Sequence, residues 1–162
     1  MRSIPEQPSP IHQTDFTEGS GNALQGCIAA LFHLPLADVP NFVALPEGYQ
    51  QGMDAFCRET LGCTCTKLAV SDDTSTRRRS RPAGGSLSDN DISRRWCLLR
   101  GKSPRGNFGH VVVAKANTQT WASGRESIYF DPVWDPHPES TFLDLEQPFG
   151  WYMVFDAIAE GD

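Results

Sequence analysis

The sequence predicts an α+β domain with an N-terminal central helix packed on a C-terminal antiparallel sheet. Helical periodicity is confined to the first third of the chain, while apolar and β-branched runs separated by Gly/Pro/Asn/Ser turns fill the second half. Helices first and strands afterwards, without alternation, argue against a parallel α/β sheet. At 162 residues the chain is sized for a single domain spanning 1–162.

Taken in order, residues 1–18 read as an extended arm, because Pro5, Pro8 and Pro10 suppress helix. In "NALQGCIAALFHL" Leu24, Cys27, Ile28 and Leu31 form a stripe at helical spacing, and Gly26, Ala29 and Ala30 keep another side thin enough for a neighbour to pack closely. This is a buried central helix with Asn22 as its N-cap, stopped at Pro35. "MDAFCRETLG" predicts a second amphipathic helix ended by Gly62, and "CTCTKLAV" a strand. Residues 71–91 offer almost nothing to bury and read as a mobile loop, whose arginines at 77–79 and 81 are expected to be solvated. "RRWCLLRG", "HVVVAKA", "SIYFDP" and "GWYMVFDA" predict four further strands.

Composition narrows the partners. A net charge of −6 gives no electrostatic reason to bind nucleic acid, and no apolar run approaches the ~20 residues needed to cross a bilayer. No membrane partner and a cytoplasmic location are expected. The odd number of cysteines, five without repeated spacing, argues for reduced thiols, and Cys63-Thr-Cys65 lacks the second pair a zinc site needs. No metal and no cofactor are expected. Cys27, Cys57 and Cys97 sit in apolar surroundings as small buried hydrophobes.

The candidate chemistry lies in two places. "GKSPRGNFGHVVVAKA" puts His110 at the start of an apolar strand, after a turn in which Gly109 leaves room for a substrate. The next strand, "SIYFDPVWDPHP", ends at Asp131, so an antiparallel hairpin brings a carboxylate to the histidine and fixes its tautomer. At the other place, Gly19, Gly21 and Asn22 lead into a helix whose first turn would lower the pKa of a thiol. The residue there is Ala23. Cys27, one turn further in and ~6 Å deeper, loses the helix N-terminus and is expected to be packing.

Together, "GNALQGCIAALFHLPLADVPNF", "GKSPRGNFGHVVV" and "DPHP" resemble a group of small bacterial and phage-encoded proteins of papain-like fold, related to the double-glycine-leader peptidases. The resemblance implies a Cys-His-Asp triad acting through a thioester, with the nucleophile at the position of Ala23 and the base at His110. The orienting carboxylate falls on Asp131, which suits the hairpin, or less favourably on Asp135, which keeps the full Asp-Pro-His-Pro string; His137 is then a loop residue. Gln13 matches the glutamine that completes the oxyanion hole in such enzymes. Asn22, Arg105 and Gly109 are the expected substrate contacts, with the turn at 103–108 and the loop at 71–91 as walls. Trp96, Trp121, Trp134 and Trp151 are expected in core and rim packing.

The function expected is a cysteine peptidase, isopeptidase or amidase acting on an intracellular peptide or protein. It is inactive in this chain because Ala23 stands where a cysteine is replaced. Retention of every other element favours such a replacement over long decay. The alternatives are a naturally inactive module that binds a peptide or protein, and an acyltransferase using the same triad. The oligomeric state is left open.

Overall fold

The computed structural model describes residues 7–17, 21–70, 93–120, 126–147 and 149–158. Helix α1 (Ala23–Leu31) is followed by single 3-10 turns at Leu36–Asp38 and Phe42–Ala44. Helix α2 (Tyr49–Phe56) then runs into a π-helical turn, Cys57–Leu61. Strands β1 (Cys63–Ala69), β2 (Ser93–Lys102), β3 (Gly109–Thr120), β4 (Glu126–Trp134) and β5 (Trp151–Ala157) complete the elements. All strand pairings are antiparallel and join one five-stranded sheet in the order β1-β5-β2-β3-β4. The chain is therefore α+β. The segment 71–91 and Trp121 lie outside the described residues.

Helix α1 is the centre of the molecule. Its apolar stripe packs on one face of the sheet, where Leu24, Cys27, Ile28 and Leu31 join Leu98, Val111, Val113, Met153 and Phe155. Each such fully buried aliphatic side chain contributes roughly 1.5–3 kcal/mol relative to exposure. The thin side of the helix takes the arm, whose Ser9 N–H donates to Ala30 O at 2.9 Å. At Gly26 a Cβ would stand 3.3 Å from Gln13 N and 3.1 Å from Pro136 Cβ, so only glycine lets both come this close. The helix ends at Leu31, before the expected stop at Pro35, with a 2.9 Å Leu34 N–H to Ala29 O bond and His33 at φ 57. This is a Schellman arrangement, with histidine in the position glycine usually fills.

Two local expectations need correction. Asn22 precedes α1 but its side chain makes no capping hydrogen bond, being engaged by the arm. Helix α2 begins at Tyr49, earlier than the apolar pattern indicates, because Gly48 turns the chain at φ 92 and the exposed Gln50 and Gln51 carry no apolar signal. Its end is as expected, with Gly62 at φ 70 in the left-handed region.

The other face of the sheet is also covered. Cys97, Leu99, Val112, Ala114, Ala116, Phe130 and Val154 pack with Leu143 and Phe149 from the segment between β4 and β5. Burial on both faces explains why "CLL" and "VVVA" are continuous apolar runs and do not alternate. Among the described residues no single helix is long and apolar enough to cross a membrane.

Candidate active site

The start of α1, the start of β3 and the arm converge on one cleft of about 380 Å³. Gln13, Ala23, Arg105, Gly109 and His110 all line it, with Phe16, Tyr49, Arg100, Phe108, His137 and Trp151 completing the walls. The placement of α1 over β3 is direct, since the Cys27 thiol lies 3.4 Å from Val111 O, next to His110. Position 23 is one turn above Cys27 on the same helix face, which sets it over the strand end that carries the histidine.

His110 is buried, and its Nε2 lies 2.7 Å from Asp135 Oδ1. Asp135 is buried as well and accepts two backbone bonds, from His137 N–H to Oδ1 at 2.9 Å and from Phe142 N–H to Oδ2 at 2.8 Å. To deliver its amide Phe142 adopts φ 60, a conformation that costs an aromatic residue strain and is held by the surrounding loop. Burial by itself would raise the Asp135 pKa, but the His110 bond and charge, with the two backbone N–H groups, outweigh it and hold the carboxyl below its ordinary value. A carboxylate so held accepts a hydrogen bond from the imidazole Nε2–H, leaving Nδ1 of the neutral ring with a free lone pair.

The expected orienter, Asp131, is not the partner of His110. It pairs across the hairpin with Lys115 and its Oδ2 accepts a 3.0 Å bond from Asn117 Nδ2. The strand does not end at Asp131-Pro132, as the sequence suggested, but continues to Trp134. Strand β4 is the sheet edge, where proline's missing N–H leaves no ladder partner unmet, and a bulge at Val133, opposite Val113 and Ala114, absorbs the irregularity. Asp135 follows directly on the lengthened strand, and its carboxylate reaches His110 Nε2.

Two expected substrate contacts are also corrected. Asn22 is buried outside the cleft lining; its Oδ1 accepts the N–H groups of Thr14 and Asp15, and its Nδ2 donates to Thr14 Oγ1 and Gln25 Oε1. It holds the arm and has nothing left for a ligand. Gly109 lines the cleft, but the space above it is taken by the Arg100 guanidinium, which a Cβ there would overlap. Arg105 is where the sequence put it, its backbone tied to Ser103 Oγ and its Nη1 donating to Thr141 Oγ1 at 2.7 Å.

Gln13 is buried with its backbone N–H on Pro136 O and its Nε2 donating to Asp15 O at 2.9 Å. Its Oε1 is buried without a partner among the described residues. Cys27 is excluded as a nucleophile by its surroundings, since complete burial, and secondarily the Asp135 charge, push its thiol pKa well above the ordinary value.

Sequence reasoning took His137 only as a loop residue and missed Arg100 as a cleft residue. His137 stands edge-on to His110 with ring centroids 6.4 Å apart, and its Nδ1 accepts the Glu139 N–H, so the proton sits on Nε2. Burial, and then the Arg105 charge, lower its pKa. Its two-residue spacing from Asp135 was the available signal. For Arg100 the signal was the charged end of "CLLR", which became informative only once β2 and β3 were in register. Trp151 likewise lines the cleft, whereas Trp134 holds the arm through Nε1 on Ile11 O and Trp96 stacks under Lys115.

Because the Asp135 pKa is depressed, its share of stability is present above the unfolded value of ~4 and is lost as pH falls through the lower folded value. Urea midpoints measured between ~pH 2 and ~pH 6 should therefore show the gap between the parent and Asp135→Asn closing on the acid side. A gap that widens with acid would contradict the assignment. Among the described residues no His/Cys/Asp/Glu group is arranged to hold a metal ion. No family model, no curated protein and no solved structure matches this chain.

Proposed function

We propose that this chain is built as a papain-like cysteine hydrolase for amide, peptide or isopeptide bonds, with Ala23 at the nucleophile position. The observation that carries the reading is the buried His110–Asp135 pair opening onto the same cleft as the first residue of α1. That helix start has no side-chain cap and no acidic residue in its first turn, so its free N–H groups and dipole are available to a negative charge.

With a cysteine at 23, His110 Nδ1 takes the thiol proton and the thiolate attacks the amide carbonyl. The oxyanion is met by the backbone N–H of residue 23 and by the second Nε2 hydrogen of Gln13. His110 then protonates the leaving amine as the C–N bond breaks, giving a thioester that water hydrolyses to the acid and the free thiol. An amine in place of water would make the same site a transferase. The chain as it stands holds an acyl ligand without cleaving it, because a methyl group cannot attack. The compartment this reading fits is the cytoplasm, where a thiol stays reduced.

The test is the Ala23→Cys protein. At neutral pH its new thiol, followed by peptide mapping, should react with iodoacetamide about tenfold faster than free cysteine, and His110→Ala should remove the advantage. A rate equal to that of free cysteine, indifferent to His110, would sink the reading.

A further inference from the structure

The protein carries a net charge of −6, yet among the described residues no Asp or Glu lines the cleft, whereas Arg100 and Arg105 do. Its paired cations lie elsewhere: Arg58 with Asp54, Arg95 with Asp156 and Lys102 with Asp144. Among the described residues neither Arg100 nor Arg105 has a carboxylate partner. The Arg100 guanidinium rests over the bare backbone of Gly109, adjacent to His110, with Gly150 on its other side. Arg105 is braced by Thr141 Oγ1 through Nη1, which leaves its other N–H groups free. Gln13, whose side-chain Oε1 is buried without a donor among the described residues, lines the same cleft.

We propose that the cleft selects peptides bearing a carboxylate, held by Arg100 and Arg105 while the adjacent peptide unit meets Gln13. Planar guanidinium groups in a partly enclosed site bind carboxylates with charge-assisted, directional hydrogen bonds. Tyr49, Phe108 and Trp151 supply the apolar walls for the rest of the ligand. The carboxylate belongs either to an acidic side chain or to a free C-terminus. The proposal deepens the acyl-transfer reading and rests on it for the location of the reacting carbonyl.

The experiment compares iodoacetate with its neutral isostere iodoacetamide on the Ala23→Cys protein. In both cases the thiolate displaces iodide and forms a thioether, so the rate ratio reports the carboxylate alone. The iodoacetate/iodoacetamide ratio should exceed that of free cysteine. It should fall about tenfold in Arg100→Gln and in Arg105→Gln, with partial recovery in Arg100→Lys. Gly109→Ala, which displaces only the flexible end of Arg100, should lower the ratio while circular dichroism stays that of the parent. A ratio that ignores both arginines overturns the proposal.

Protection by N-acetylglycine assigns a terminal carboxylate and protection by acetyl-Glu-amide a side-chain one, with acetyl-Gln-amide as the neutral control. An arginine-dependent ratio on a thiol no faster than free cysteine would keep the carboxylate site and discard the acyl-transfer reading. A fast, His110-dependent thiol with an arginine-independent ratio would do the reverse.

Discussion

Asp135→Ala in the Ala23→Cys background should lower turnover of an activated ester such as p-nitrophenyl acetate by roughly 10²-fold or more. Alanine leaves the His110 Nε2 proton without an acceptor, so neither the tautomer nor the ring orientation is held. The carboxylate accepts N–H bonds from His110, His137 and Phe142, and alanine offers an acceptor to none of them. At least one buried N–H then loses its acceptor, at a cost of about 1–3 kcal/mol. Asp131→Asn is the control, because Asp131 contacts Asn117 on the far part of the hairpin and should leave the rate as it was. Equal losses in the two variants would refute the assignment of Asp135 as orienter.

Asn22→Ala should cost about 3 kcal/mol in urea unfolding, more than loss of an ordinary helix cap. The side chain is a clamp: its oxygen accepts the N–H groups of Thr14 at 2.9 Å and Asp15 at 2.7 Å, and truncation leaves both without it. Gln13 precedes them, so the arm that delivers Gln13 to the cleft should loosen, and the reactivity of the Ala23→Cys thiol should fall with stability. Asn22→Asp keeps the acceptor and gives up the donations to Thr14 Oγ1 and Gln25 Oε1, so its loss should be smaller. A cost below ~0.5 kcal/mol for Asn22→Ala would show that the arm is held by other contacts, such as Gln13 N–H on Pro136 O.

The two variants mark the boundary between what was legible and what was not. "NALQGCIAALFHL" announced α1, its buried stripe and its thin side, because helical periodicity is local. Gly62 announced the end of the second helix through its positive φ, and the four C-terminal runs announced strands that the structure places within one or two residues of their predicted ends, except for β3 at its far end and β4 beyond Asp131-Pro132. Asn22 was visible as a polar residue before a helix, but its actual partners sit in the arm, which no local pattern links to it.

Sequence alone therefore determined the α+β order of elements and the central helix, whereas the meeting of position 23, Gln13 and His110 at one cleft was implied only by the resemblance of their motifs. Tertiary structure decided that Asp135 and not Asp131 holds His110, that Arg100 fills the space over Gly109, and that Asn22 clamps the arm. The reason is physical: periodicity and turn chemistry are set by neighbours along the chain, whereas these contacts depend on strand register. That register was decided by an edge strand that tolerates Pro132 and by a bulge beside it at Val133.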